Sequence, residues 1–223
     1  MNVQIFGDSI MQGVIYSSES GRYKLRENRF ADLIGSGIGV KNNSRMGATI
    51  EKGCSCLESK LSECGSDTLV LFEFGGNDCD FDWAKVSDEP NLEHQPHTAP
   101  ERFTEIYKNA INGARAKGAE VILTTLVPID APKYMSFISK GRSYDNIMNW
   151  LGDVSMLYRF QEYYSRLVER IAAEMHCPLI DLRSTFLTTH NYRDCLCADG
   201  IHPTECGYGM IEAELTKHIM AYA

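Results

Sequence analysis

Ser9, Asp199 and His202 are the residues of this chain whose types and spacing could do covalent chemistry together. Ser9 closes the tripeptide Gly7-Asp8-Ser9, directly after the apolar run Val3-Gln4-Ile5-Phe6. That run reads as a first strand, so the hydroxyl stands at a strand's C-terminal edge, where open α/β sheets collect their ligands. A serine there is a candidate nucleophile only if a base and an oxyanion hole accompany it. A lone Gly-Asp-Ser is also an ordinary turn. Asp199-Gly200-Ile201-His202, near the C-terminus, could supply the base. On a tight turn, with Gly200 free to take unusual backbone angles, the carboxylate can reach back to imidazole Nδ1. That fixes the tautomer and leaves Nε2 to accept the serine proton. Pro203 then limits the backbone and leads into a helix. Taken alone, an Asp-x-x-His is more often a helix N-terminal turn carrying an ordinary histidine.

Donors for an oxyanion come from two further segments. Gly75-Gly76-Asn77-Asp78 follows a third strand at the same rim. Its glycines allow close backbone approach, and Asn77 offers a side-chain NH₂. Gly47, in Ser44-Arg45-Met46-Gly47, follows a second strand and opens a helix, so its backbone N–H is another candidate. Both segments also have ordinary turn compositions.

The elements that must position these residues alternate strand and helix. Strands are expected over 3–6, 40–42, 68–74, 120–126 and 178–182. The runs Leu69-Val70-Leu71-Phe72 and Val121-Ile122-Leu123 suit strands buried on both faces of a parallel sheet. Helical spacing covers 27–34, 50–61, 100–117, 155–175 and 204–222, with Gly118 as a stop and Thr204 as an N-cap. This order predicts an α/β fold over residues 1–223: a three-layer α/β/α sandwich with a five-stranded parallel sheet, flavodoxin-like, in strand order 2-1-3-4-5. Two stretches exceed what such a sandwich needs. An acidic, irregular loop, 78–99, carries Trp83, His94 and His97, and 127–153 carries Pro128, Tyr134, Phe137, Tyr144 and Trp150. Long loops on a ligand-binding rim are usually functional.

Gly7-Asp8-Ser9, Gly47, Gly75-Gly76-Asn77-Asp78 and Asp199-x-x-His202, in that order and spanning nearly the whole chain, resemble the four signature blocks of the SGNH (GDSL-type) esterase superfamily. The Gly-x-Ser-x-Gly elbow of ordinary α/β-hydrolases is absent from the sequence. The resemblance implies that Ser9 is the nucleophile, His202 the general base and Asp199 its orienter. It implies an oxyanion hole from the backbone N–H groups of Ser9 and Gly47 and the Asn77 side chain, and an acyl-enzyme cycle that needs no metal or organic cofactor. Asp8, Asp78 and Trp83 are the candidates for substrate contact; Trp83 is favoured because its segment follows Asn77. The preferred reading is an esterase removing short acyl groups, above all O-acetyl, from a carbohydrate or related small molecule. The alternative is a lysophospholipase or acyl-thioesterase on longer chains. Less favoured are a non-catalytic binding domain and an interaction protein stabilised by cysteines or zinc.

Bulk composition narrows the partners. The hydrophobic fraction of 43% and charged fraction of 23% are those of a globular protein. A net charge of -8 disfavours nucleic acid and anionic membrane surfaces. The sequence shows neither a signal-peptide pattern nor a membrane span, which makes the cytoplasm the default compartment. In a reducing compartment the eight cysteines, at 54, 56, 64, 79, 177, 195, 197 and 206, read as free thiols. The pairs Cys54-x-Cys56 and Cys195-x-Cys197 are closer than usual zinc-ligand spacing. His94 and His97 invite a metal with Asp80, Asp82 or Glu93, but solvated loop histidines are the commoner case. Cys79 and Cys197 flank the motif segments, so alkylating them could inhibit without either being catalytic. Glu73, inside a strand expected to be buried, either pairs with a donor such as Arg45, supports the site from behind, or marks a strand end wetter than its run suggests.

Overall fold

Val3, Ile5, Leu69, Leu71 and Ile122 pack on one side of a central sheet, and Phe6, Val70, Phe72, Val121 and Leu123 on the other. Alternate residues of each strand thus reach opposite helical layers, the burial a covered parallel sheet requires. The computed structural model describes residues 1–27 and 29–222. Its sheet joins β1 (Asn2–Gly7), β4 (Gly39–Asn42), β5 (Thr68–Glu73), β6 (Glu120–Thr124) and β7 (Leu179–Ile180) in the order β4-β1-β5-β6-β7. All four pairings are parallel. Counted along these strands the order is second, first, third, fourth, fifth, as the alternation predicted.

One layer holds α3 (Ile50–Glu58), α5 (Pro100–Arg115) and α8 (Ser155–Glu174). The opposite layer holds α1 (Ser9–Gln12), α2 (Ala31–Gly35), α9 (Leu182–Leu187) and α10 (Glu205–Ile219). The expected strand 178–182 is shorter than its apolar run. Asp181 caps α9 instead, its carboxylate accepting the Ser184 N–H at 3.0 Å, which turns Leu182 into the helix. The expected helix 27–34 forms only from Ala31, and Asn28 lies outside the described residues.

Two features depart from the sequence reading. β2 (Val14–Ser17) and β3 (Arg22–Leu25) form an antiparallel hairpin at the rim. β3 is exposed along its whole length, so no burial pattern marks it. The long rim stretches are also more ordered than loops. They fold α4 (Trp83–Asp88), α6 (Ala131–Ile138) and α7 (Tyr144–Leu151). Their apolar residues make a third cluster with Phe81, Ile129 and Leu157 over the C-terminal ends of the strands. Asp82, Asp130 and Ser143 cap these helices with their own side chains. Among the described residues no helix is long and apolar enough to cross a membrane.

Candidate active site

Ser9 is placed by the turn between β1 and α1. α1 folds back so closely over the strand end that a Cβ on Gly7 would lie 2.8 Å from the Met11 Cβ. Asp8 caps the helix, its Oδ1 accepting the Ile10 N–H at 2.8 Å. Ser9 is therefore the first helical residue, where a backbone N–H has no partner inside the helix.

The segment 195–204 brings the histidine to it. Cys197 N–H donates to the His202 carbonyl at 2.7 Å, Gly200 N–H to the Cys197 carbonyl at 3.0 Å, and Thr204 N–H to the Cys195 carbonyl at 2.9 Å. Gly200 sits at φ +78°, pressed against α6. A Cβ there would lie 2.5 Å from the Tyr134 nitrogen and 2.6 Å from the Asp130 carbonyl oxygen, so only glycine fits the turn. Asp199 Oδ2 lies 2.6 Å from His202 Nδ1, and His202 Nε2 lies 2.8 Å from Ser9 Oγ. Asp199 Oδ1 accepts the backbone N–H groups of Ile201 and His202, both at 3.2 Å. Its carboxylate is fully buried, yet it has hydrogen bonds on both oxygens, as a buried charge requires. This arrangement can move a proton from the serine to an imidazole held in one tautomer.

The two donor segments also reach this edge. The turn holding Gly47 is fastened by Arg45 N–H to the Gly7 carbonyl at 3.1 Å and by Met46 N–H to Gln12 Oε1 at 2.7 Å. Gly47 itself lies at φ +71° and is exposed. Asn77 stands between that turn and α1. Its Nδ2 donates to Asp8 Oδ2 at 3.0 Å and to the Ala48 carbonyl at 3.2 Å.

Behind Asn77 lie three buried carboxyl groups, those of Asp8, Glu73 and Asp78. Glu73 does not pair with Arg45, which is exposed; it lies beside Asp8, whose N–H reaches its Oε2 at 3.4 Å. Burial, and then the neighbouring Asp8, holds the Glu73 carboxyl well above its ordinary range. Burial also raises Asp8. Asp78 is raised to about 6 by burial, against hydrogen bonds from Thr98 and Ile50 that favour its charge. Its two oxygens accept the Ile50 N–H at 3.1 and 3.2 Å, which anchors α3 and leaves Asp78 away from the cavity beside Ser9.

That cavity measures about 90 Å³ and runs from Ser9, Asn77 and His202 beneath the third cluster. Leu126, Ile129, Leu157, Phe160, Trp83 and Ile201 are among its apolar walls. Trp83 is a wall rather than a polar contact. Its indole N–H donates to Asp80 Oδ1 at 2.8 Å and lies 3.0 Å from the Tyr134 hydroxyl, which donates to Asp80 Oδ2 at 2.7 Å. Sequence reasoning missed Ile129, Leu157, Phe160 and Gln161 as cavity residues. They lie on elements far apart in sequence, and no local spacing marks them.

His94 bonds the Glu89 carbonyl at 3.0 Å and leans on Trp150, while His97 bonds the Asn77 carbonyl at 2.9 Å. Among the described residues no three or more His, Cys, Asp or Glu side chains cluster in a way that could hold a metal ion. All eight cysteines are free thiols.

The family model described as "GDSL-like Lipase/Acylhydrolase family" matches residues 5–210. No curated protein matches the chain. Solved structures do. A lipase/acylhydrolase from Enterococcus faecalis superposes with a TM-score of 0.67 at 20% identity, over 99% of this chain and 96% of that one. An acetyl xylan esterase, AlAXEase, gives 0.66 at 20% identity, over 98% and 100%. A variant of Axe2, an acetyl xylan esterase from Geobacillus stearothermophilus, gives 0.65 at 19% identity, over 98% and 94%.

Proposed function

The chain belongs to the GDSL-like lipase/acylhydrolase family and is a carboxylic-ester hydrolase, and from that premise we propose that it cleaves short-chain acyl esters through an acyl-enzyme on Ser9. The observation that carries the proposal is the continuous chain from Asp199 through His202 to Ser9, at 2.6 and 2.8 Å. In the proposed cycle Ser9 Oγ attacks the ester carbonyl while His202 Nε2 takes its proton. Asp199 holds Nδ1–H and stabilises the imidazolium. The oxyanion is met by the N–H groups of Ser9 and Gly47 and by one N–H of Asn77, which shares that proton between the oxyanion and its present acceptor. His202 then protonates the leaving alkoxide, and water, activated by the same nitrogen, releases the acid.

The preferred substrate is an O-acetyl ester of a carbohydrate or similar small alcohol. Two of the structural neighbours are described as acetyl xylan esterases, which supports this choice. A second reading, longer acyl chains, is favoured by the cavity. Its 90 Å³ is several times the roughly 10–15 Å³ that one water-sized group needs, and its walls are mostly apolar. Hydrolysis of one alcohol's esters from two to ten carbons, with Ser9→Ala as control, tests both readings. A peak at eight carbons or more overturns the acetyl assignment, and full activity of Ser9→Ala overturns the mechanism.

A further inference from the structure

The β2–β3 hairpin carries an aromatic surface up to the His202 ring. The Tyr23 ring lies 5.1 Å, centroid to centroid, from the His202 ring. Behind it Tyr16 lies 5.2 Å from Tyr23, and Phe137 of α6 lies 5.3 Å from Tyr16. Lys140 closes the edge, its Nζ 5.1 Å from the Phe137 centroid. Tyr23 is 37% exposed. The hairpin is held firmly. Arg26, at its end, pairs with Glu205 at 2.8 Å and Glu212 at 2.9 Å on α10, and its guanidinium lies over the Tyr208 ring.

Given the acyl-enzyme reading above, the direction of the leaving group follows from the chemistry. In that reading the acyl substituent enters the cavity beside Ser9, with the oxyanion next to Asn77 on its wall. The leaving oxygen must come within reach of His202 Nε2 to be protonated. The alcohol therefore departs past the face of His202 that Tyr23 covers. We propose that Tyr23, backed by Tyr16 and Phe137, is the binding platform for the alcohol half of the ester, and that this alcohol is a sugar ring. The apolar C–H face of a pyranose stacks on the exposed Tyr23 ring, while its hydroxyls meet the polar edges of the platform, the tyrosine hydroxyls and the Lys140 ammonium. A plain alkyl alcohol has no use for those polar edges.

The test compares two esters with the same acyl group, an acetylated methyl pyranoside and ethyl acetate, in wild type, Tyr23→Ala and Tyr23→Phe. The kcat/KM ratio, sugar ester over ethyl ester, should fall about tenfold in Tyr23→Ala, chiefly through KM. Tyr23→Phe keeps the stacking ring and should keep most of the ratio. Equal losses on both esters would mean that Tyr23 acts only by packing against His202, and would overturn the proposal, as would an unchanged ratio. The underlying reading fails differently: the wild type would then hydrolyse neither ester, and a fluorophosphonate would leave Ser9 unlabelled.

A separate observation concerns the cysteines. Cys195 and Cys206 bracket the segment that carries Asp199 and His202, and their sulfurs lie 3.6 Å apart. Cys206 is exposed, while Cys195 is buried behind it. The geometry points to a disulfide site that staples this segment. With a small disulfide such as oxidised glutathione as oxidant, the Cys206 thiolate attacks one sulfur and releases one glutathione thiol. Cys195 then displaces the second, so two protein thiols are oxidised and one glutathione disulfide is reduced. After oxidation, denaturing alkylation and proteolysis, the expected product is a Cys195–Cys206 cross-linked peptide, absent in Cys206→Ser. A stable mixed disulfide on Cys206, or cross-linking through another pair, would overturn the assignment.

Discussion

Asn77 donates to Asp8 across 3.0 Å, joining the residue beside the serine to the turn that follows β5. The second Asn77 N–H is held by the Ala48 carbonyl, one residue after Gly47. One amide thus fastens all three segments that could meet an oxyanion.

For that reason Asn77→Ala should act on the transition state more than on ground-state binding. A fall in kcat of about a hundredfold or more is expected for loss of one oxyanion donor, with KM changed far less. Steady-state kinetics on a simple ester measure it. An unchanged kcat would remove Asn77 from the mechanism and leave it as the fastener alone.

Gly200→Ala should damage both stability and activity. The new Cβ meets backbone atoms at 2.5 and 2.6 Å, and the residue must keep φ +78°. Relief requires moving either α6 or the Asp199–His202 turn. A loss of about 2 kcal/mol or more is expected from the strained backbone and overlap, read from urea unfolding. Because the turn sets the 2.6 Å contact between Asp199 and His202, kcat should fall with it.

Asp78 makes stability depend on pH. Its carboxyl is raised to about 6 in the folded protein by burial, whereas in the unfolded chain it titrates near 4. Below about pH 4 both states hold the proton, so the contribution of this group is fully present and does not change with pH. Between about 4 and 6 only the folded state holds it, so stability contributed by this group falls as pH rises, and levels off above about 6. The total is on the order of 3 kcal/mol. Asp78→Asn keeps an oxygen for the Ile50 N–H and removes the titration. The difference in unfolding free energy between variant and wild type should therefore move in favour of the variant from pH 4 to pH 7. A difference independent of pH would contradict the assignment.

Leu157 lies at the start of α8, 5% exposed, on the wall of the cavity. Leu157→Trp would fill much of the 90 Å³ beneath the cap. Hexanoyl esters should then lose at least tenfold in kcat/KM relative to acetyl esters, in the manner of steric discrimination by an apolar pocket. A chain-length series on the variant reads it. An unchanged series would place the acyl group elsewhere.

Short-range signals determined much of this protein. The apolar runs 69–72 and 121–123 and the helical spacing over 100–117 appear as β5, β6 and α5. Their alternation with helices sufficed for the sheet order. Burial on both faces and crossover connections leave few arrangements for five such strands. Gly7-Asp8-Ser9, Asn77 and Asp199-x-x-His202 were legible because each turn's demands on backbone and side chain are written within a few neighbouring residues. The cap and the hairpin were not. α6 and α7 bury apolar faces against Phe81 and Leu157, residues of other segments, and β3 buries nothing that a pattern could show. The partner of Glu73 is the backbone N–H of Asp8, just past the end of a different strand, and burial raises the Glu73 carboxyl there. Tertiary structure alone brought Ser9 within 2.8 Å of His202 and set Tyr23 against that imidazole. Contacts between segments far apart in sequence depend on how layers pack, and no local preference encodes them.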